Sequence, residues 1–268
     1  MESKDVGCNL CNSDEFEVVQ EIQPYKIVRC KYCQLLYLNP QPLGEEITKI
    51  YTGDYYSASW GKDIAENKFR LKNVERFRKG GRLLDVGCGI GAFLKLARQN
   101  GWQVSGLEIS EFATKYLNEE LNIECFLGSL ENLNSPSNSY DVITLWHVIE
   151  HMRNPLEALK KANRLLSKKG RIFLATPNQN FWEIRISANR RISVNKDLVE
   201  KERHLHFFAP HSLKKMMGKA GFEVVDITVD LNKGKPKLEH FLKYYLFLFL
   251  SRAFRINISK SILVVGKK

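Results

Sequence analysis

The sequence has no signal-type apolar run after its polar start, Met1-Glu-Ser-Lys-Asp5. It has no long hydrophobic stretch either. The longest, Tyr244 to Leu250, falls well short of the roughly 20 residues that cross a bilayer. A cytoplasmic, reducing setting is the expectation. The six cysteines therefore read as thiols or metal ligands and not as disulfides. Also missing are an arginine-rich tract and a basic motif interleaved with aromatics. Their absence argues against nucleic acid as the target, despite a net charge of +11. The basic residues are spread, with richer pieces at 160–171, 185–203 and 214–219, which suits a solvated basic face. There is no internal repeat and no low-complexity tract. What remains is a globular chain of 268 residues, 44% hydrophobic and 26% charged. That is enough for one large core, or for one domain with a small module.

The module is legible at the N-terminus. Cys8-Asn-Leu-Cys11 and Cys30-Lys-Tyr-Cys33 are two C-x-x-C knuckles separated by 18 residues. At this spacing Cys8, Cys11, Cys30 and Cys33 can supply four thiolates to one tetrahedral zinc. Phe16–Val19 and Tyr25–Val28 between them read as two short strands. Residues 1–40 are thus expected to form a zinc ribbon whose metal supplies much of its folding energy. A redox dithiol would not explain the second pair. With all four positions taken by cysteine, the site reads as structural. Cys88 and Cys125 lie outside it and read as buried thiols.

Leu38-Asn-Pro-Gln-Pro-Leu-Gly44 reads as a proline-punctuated linker and 45–51 as a short helix. Tyr51-Thr-Gly-Asp-Tyr55-Tyr56 is a tyrosine-rich loop, either a lid on a ligand or packing between the module and the next domain. Residues 62–78 read as a charged helix with Ile64, Phe69, Leu71, Val74 and Phe77 as its apolar members.

The chain is organised around Leu83-Leu-Asp-Val-Gly-Cys-Gly-Ile-Gly91. A buried strand ends in glycines at alternate positions, Gly87, Gly89 and Gly91, and a helix begins. Glycines let a ligand approach the backbone N–H groups that such a turn exposes. Asp85 stands just before the first glycine. Glu108 ends the next strand, where an acid can accept bonds from ribose hydroxyls. Strands at 82–86, 102–108, 123–127, 140–145 and 171–176 alternate with helices at 91–100, 111–121 and 154–166. Such alternation implies a parallel sheet with helices on both faces. Then the rhythm breaks, with a long polar connection over 178–210. A helix at 211–220 and strands at 221–229 and 261–266 come after it.

Two ligands suit the turn, a dinucleotide or an adenosyl sulfonium. A dinucleotide site prefers G-x-G-x-x-G around a pyrophosphate, which Asp85 would repel. An acid there suits a ligand with an ammonium group and a positive sulfur, such as S-adenosylmethionine.

Leu84-Asp-Val-Gly-Cys-Gly-Ile-Gly91, Gly106-Leu-Glu-Ile-Ser110, Asp141 to His151 and Leu166 to Pro177 resemble the ordered motifs of class I S-adenosylmethionine-dependent methyltransferases. The nearest likeness is to small-molecule methyltransferases related to the ubiquinone-pathway O-methyltransferases. With the four-cysteine module, the chain also resembles zinc-binding methyltransferases of sugar and cell-surface polysaccharide pathways. The resemblance covers about 45–268. It implies an α/β, Rossmann-like seven-stranded sheet of order 3-2-1-4-5-7-6 with the last strand antiparallel. It implies that Asp85, Gly87, Gly89 and Gly91 hold the methionyl end of the cofactor, partly through water. Cys88, within the turn, is expected to touch the ligand, and Tyr55 and Tyr56 would contact it if the tyrosine loop is a lid and not inter-domain packing. Glu108 would bind the ribose, Ile109 would pack on the adenine, and Ser129 and Leu130 would meet its edge. Relatives often carry an acid where Ser129 stands, so a side-chain bond to the adenine amine is not implied. Trp146 and His147 would line the methionyl pocket.

Methyl transfer needs the acceptor aligned, and a hydroxyl or acidic C–H acceptor also needs a base. His147, His151, His204 and His206 are the candidates for that catalytic role, with His147, His151 and His204 put first, and each also reads as a structural hydrogen-bonder. Glu150 with His151 could alternatively bind a divalent ion, as the likeness to quinone-pathway relatives implies. The implied reaction is methylation of a small molecule, a nucleotide- or lipid-linked sugar in cell-surface polysaccharide synthesis being the specific expectation. RNA or another macromolecule is the alternative acceptor, although no Asn-Pro-Pro-Tyr motif follows strand four. A non-catalytic binding module is the reading from another class. Residues 231–258, with the aromatic run 237–250 flanked by Lys233, Lys235, Lys237 and Arg252, read as a lid or core helix, or as an interfacial segment on a membrane or lipid-linked acceptor.

Overall fold

The structure is a computed structural model that describes residues 3–42, 53, 56, 64–179, 197, 199, 203–230 and 260–268. The expected helix at 45–51, Tyr55, most of the 178–210 connection and the 231–258 segment lie outside the described residues.

The main sheet is built from β6 (Gly81–Val86), β7 (Trp102–Glu108), β8 (Cys125–Leu127), β9 (Tyr140–Trp146), β10 (Leu166–Pro177), β12 (Glu223–Val229) and β13 (Ser261–Lys267). Its order is β12-β13-β10-β9-β6-β7-β8. Read from the other edge, this is the expected 3-2-1-4-5-7-6. β13 runs antiparallel to both β10 and β12, as implied. The strands are apolar on both sides because both faces are covered. Leu84, Ile143, Ile172 and Val264 face one cluster with α4 (Pro155–Leu165) and α5 (Pro210–Lys219). Leu83, Val142, Phe173 and Leu263 face the other, with α1 (Ile64–Phe77), α2 (Ala92–Gln99) and α3 (Glu111–Glu119). Helix starts follow the local chemistry. Ser110 caps α3 through its side chain, and Pro155 opens α4 at the first turn, where its missing N–H costs nothing.

The charged helix expected at 62–78 is α1; in it Ile64 is 62% exposed, while Glu66, Asn67, Arg70 and Asn73 are buried. The burial of Arg70 is offset by carboxylates on both sides, Glu66 and Asp230. Ser167–Gly170 does not stand outside the strands: β10 begins at Leu166, with a register shift before Arg171. The proline-punctuated stretch is not a free linker. Leu36–Asn39 forms β4, and Gln41–Pro42 forms β5, paired with β1 (Ser3–Lys4).

The cysteine module is therefore larger than a hairpin. β2 (Phe16–Ile22), β3 (Tyr25–Cys30) and β4 are joined by β11 (His206–Phe207), from far along the chain, in a sheet of order β11-β4-β3-β2. Cys8, Leu10, Val28, Cys30, Cys33 and Tyr37 belong to the same buried cluster as α4 and α5. The module shares the main core and does not need one of its own. No helix among the described residues is long and apolar enough to cross a membrane.

Candidate active site

The turn after β6 has the conformation that only glycine adopts without strain. Gly87 and Gly89 have φ of 67° and 52°. A Cβ on Gly87 would come within 2.5 Å of Val148 Cγ2. The Gly87 amide donates to the Leu107 carbonyl at 2.7 Å, which pins the turn to the end of β7. Glu108 closes it. Its Oε2 accepts from Gly89 N at 2.8 Å, and its Oε1 accepts from Ile109 N and Ser110 N at 2.8 and 3.1 Å. Burial raises the Glu108 pKa, although these amides and the Tyr56 side chain favour the carboxylate. Tyr56 also stacks on Phe112, with ring centroids 6.3 Å apart.

Asp85 is 2% exposed and accepts from Thr144 Oγ1 at 2.6 Å. Burial pushes its pKa up to about 7, against the pull of Thr144 and the Arg70 charge. Arg70 reaches across from α1, with its guanidinium 4.9 Å from the Trp146 ring centroid. It pairs with Glu66 one helical turn away and with Asp230 at 2.9 Å. Breaking a buried pair of this kind costs about 3–5 kcal/mol, so α1, β9 and the end of β12 are tied together here.

These groups open onto a cavity of about 1030 Å³. Asp85, Gly87, Cys88, Gly89, Gly91 and Glu108 stand on its wall. So do Ile109, Ser129 and Leu130 at the ends of β7 and β8, and Tyr56, Trp146 and His147. Cys88 Sγ lies 3.8 Å from Cys125 Sγ, and both are free thiols. The wall fits an adenosyl sulfonium. It offers an acid for a cation, a carboxylate for hydroxyls and apolar side chains for a ring. It also offers Trp146 Nε1, a buried donor with no hydrogen-bond partner among the described residues.

The candidate histidines differ, and His206 is buried and does not line the cavity. His147 lies between two carboxylates, with Nε2 3.2 Å from Asp230 and Nδ1 3.4 Å from Glu150. Burial alone would lower its pKa, but the two carboxylates outweigh it and raise it to about 9. It is an imidazolium at neutral pH with no lone pair to offer. His151 is neutral: burial takes its pKa down to about 4, with Glu150 opposing and His204 adding to the effect. Its Nδ1 is 3.3 Å from the Arg203 carbonyl, which can only accept, so Nδ1 carries the proton and Nε2 the lone pair. His151 lines the cavity. His204 does not. It is buried, and its ring meets the His151 ring edge-on, 4.8 Å between centroids. Glu150, His151 and His204 could each turn one ligand atom towards a common cation. Thr176 donates to Glu150 Oε2 at 3.0 Å, and Glu150 Oε1 lies 3.4 Å from His147 Nδ1.

Arg70, Thr144 and Asp230 are absent from the sequence-based candidates. The i, i+4 spacing of Glu66 and Arg70 was a usable signal. Nothing local joins Arg70 to Asp230, 160 positions away.

At the other end, the four cysteines converge. Cys8 and Cys33 sulfurs are 3.3 Å apart and those of Cys11 and Cys30 are 3.4 Å apart, all four lying within 4.8 Å of one another. A tetrahedron with metal–sulfur bonds of about 2.3 Å has edges of about 3.8 Å, so the cluster fits zinc. The two knuckles are built alike. Asn12 N donates to the Cys8 carbonyl and Gln34 N to the Cys30 carbonyl, and both residues have positive φ. Backbone amides of Leu10 and Cys11 bond Cys8 sulfur, and those of Tyr32 and Cys33 bond Cys30 sulfur. Such outer donors orient metal-binding thiolates.

Comparison with known proteins gives the class. Residues 61–227 match the family described as methyltransferase domain. Ubiquinone biosynthesis O-methyltransferase of Coxiella burnetii is 29% identical over 171 residues, covering 60% of this chain and 73% of the relative. The protein of the same name from Idiomarina loihiensis is 29% identical over 176 residues, covering 60% and 70%. Among solved structures, an S-adenosylmethionine-dependent methyltransferase from Mesorhizobium loti shares the fold, with a TM-score of 0.57, 18% identity, and coverage of 77% of this chain and 99% of that one. The chain belongs to the methyltransferase-domain family, and its class is the S-adenosylmethionine-dependent methyltransferases.

Proposed function

We propose that this chain transfers the S-adenosylmethionine methyl group to a hydroxyl of a small molecule, with His151 as the base. The observation that carries the reading is the fixed tautomer of His151, a neutral ring on the cavity wall with Nε2 able to accept a proton. The curated relatives, both O-methyltransferases by name, support the same chemistry. When bound, the cofactor supplies an electrophilic methyl carbon on a good leaving group. The protein has the remaining tasks. Asp85 and the glycine turn hold the cationic methionyl end. Glu108 takes the ribose hydroxyls, which can replace its bond from Tyr56. Ile109, Ser129 and Leu130 bound the adenine. His151 accepts the hydroxyl proton as the methyl–oxygen bond forms. His147 is a fixed cation that keeps Glu150 and Asp230 ionised. The role of His204 is to pack against His151.

A nucleotide- or lipid-linked sugar is the finer proposal for the acceptor. Asn67, Lys68, Arg153 and Asn154 line the cavity, and such groups suit a ligand with hydroxyls and phosphate. The test is transfer of labelled methyl to a panel of nucleotide sugars, quinone-precursor phenols and RNA. A methyl ether on a small molecule is expected. Label found only on RNA, or only on nitrogen, would contradict the proposal.

The two binding sites give two further expected outcomes. Asp85 is about half protonated near pH 7 in the free protein, and a bound cation will ionise it. Cofactor binding at pH 6 should therefore release a proton, and affinity should rise with pH up to about 7, by no more than about tenfold per unit. Calorimetry in two buffers of different ionisation enthalpy measures this; the same heat in both would contradict it. In the ribbon, we propose structural zinc on Cys8, Cys11, Cys30 and Cys33. The purified chain should carry one zinc ion by mass spectrometry, and Cys30→Ser should lose it together with several degrees of Tm. A metal-free chain of undiminished stability would rule zinc out.

A further inference from the structure

We infer that the cysteine ribbon positions the catalytic base, acting through His206 and Asn9 on the turn that carries His151. The inference rests on the proposed role of His151.

The contacts form two routes. The first runs through β11. Tyr37 in β4 pairs with His206, and Leu36 with Phe207. Leu205 lies just ahead of them with both backbone groups used. Its carbonyl accepts from Leu38 N of the ribbon at 2.9 Å, and its amide donates to the Glu150 carbonyl at 2.8 Å. Leu205 thus joins the ribbon to the short helix Ile149–His151. The Arg203 carbonyl, two residues earlier, fixes the His151 tautomer. The His206 ring is buried, does not line the cavity, and bonds the backbone of Met152, next to His151.

The second route starts at the first knuckle. Asn9, between Cys8 and Cys11, donates from Nδ2 to the Arg153 carbonyl at 2.8 Å. The Arg153 guanidinium in turn donates to the Pro42 carbonyl in β5. Lys219 Nζ, from α5, donates to the Leu10 carbonyl at 2.7 Å and holds the knuckle down. His151 is therefore gripped from both sides, at Glu150 and Arg203 through β11, and at Met152 and Arg153 through His206 and Asn9. Every grip leads back to the ribbon strands or knuckle. A module needed only for stability could be fastened anywhere on the helical layer. This one converges on four consecutive residues, 150–153, of which His151, Met152 and Arg153 line the cavity. A base misplaced by about 1 Å can lose about a hundredfold in rate, so small shifts in these contacts are large in effect.

The experiment compares kcat and S-adenosylhomocysteine affinity for the full chain and for His206→Phe, His206→Gln, Asn9→Ala and Glu17→Ala. Glu17, exposed on β2 at the far edge of the ribbon sheet, is the control. His206→Phe keeps the ring but loses the bond to Met152; its kcat should fall about tenfold to a hundredfold, with partial recovery in His206→Gln, which keeps a donor. Asn9→Ala should lower kcat in the same sense. Cofactor-product affinity should be unchanged in all of them, and Glu17→Ala should behave as wild type. The His151 ring titration, followed by NMR, should move towards the ordinary histidine range in His206→Phe. Wild-type kcat in both His206→Phe and Asn9→Ala, where His151→Phe is inactive, would overturn the inference. Equal losses of kcat and affinity would overturn it too, since they mark a general loosening of the fold. If His151→Phe itself keeps wild-type kcat, the base assignment fails first and the positioning role fails with it.

Discussion

Replacing His151 with phenylalanine should lower kcat about a hundredfold to ten-thousandfold, the usual contribution of a positioned proton acceptor. S-adenosylhomocysteine binding should be unchanged, because the proposed cofactor contacts lie on the glycine turn and β7. The wild-type pH profile gives the companion result. The His151 pKa lies near 4, against 6.5 for an unburied histidine. The neutral, proton-accepting form therefore persists well below neutral pH, and the acid limb of kcat should fall near pH 4. The sign follows from burial: the protonated form is disfavoured, so activity is lost only when acid overcomes that penalty. An acid limb in the ordinary histidine range, or a His151→Phe variant of wild-type rate, would point to another base. His147 is the less suited of the two cavity histidines to that role, because carboxylates face both of its ring nitrogens. Held near pKa 9 by Asp230 and Glu150, it is charged throughout the useful range.

Gly89→Val should remove most of the cofactor affinity. Gly89 has a φ of 52°, where a residue with a Cβ costs about 1–2 kcal/mol, and a β-branched one is a marked outlier. The new Cβ would lie 3.3 Å from Tyr56 Cε1, on the ring that covers the turn. Relaxing either strain moves the Gly89 amide off Glu108, whose Oε2 it meets at 2.8 Å. Affinity for S-adenosylhomocysteine should fall by more than about tenfold, while zinc content and the far-ultraviolet spectrum stay unchanged. Undiminished affinity would mean that this turn is not the cofactor site.

The parts of the fold legible in the sequence are those with local causes. Alternating strands and helices, the glycine turn, the C-x-x-C knuckles, Ser110 and Pro155 each announce themselves within a few residues. The sheet order came from the resemblance of the ordered motifs. The parts not legible depend on residues far apart. Nothing near Arg70 in the sequence points to Asp230, and nothing near Ile64 shows that α1 buries Glu66 and Arg70 and leaves Ile64 exposed. β11 is two residues long, too short to carry a pattern, yet it joins the ribbon to the site. The histidines matched a motif, but the motif did not say which would be charged. That depended on Asp230 and Glu150 flanking His147, and on the Arg203 carbonyl meeting His151.

The cavity over β6 and β7 is proposed to bind an adenosyl cofactor, with Glu108 on its hydroxyls. The decisive measurement is calorimetric titration of the full chain with S-adenosylhomocysteine, repeated with Glu108→Ala. Saturable binding of one equivalent is expected, weakened at least about tenfold in Glu108→Ala through the loss of hydrogen bonds to a charged acceptor. No binding by the intact chain, or equal binding by both proteins, would contradict it.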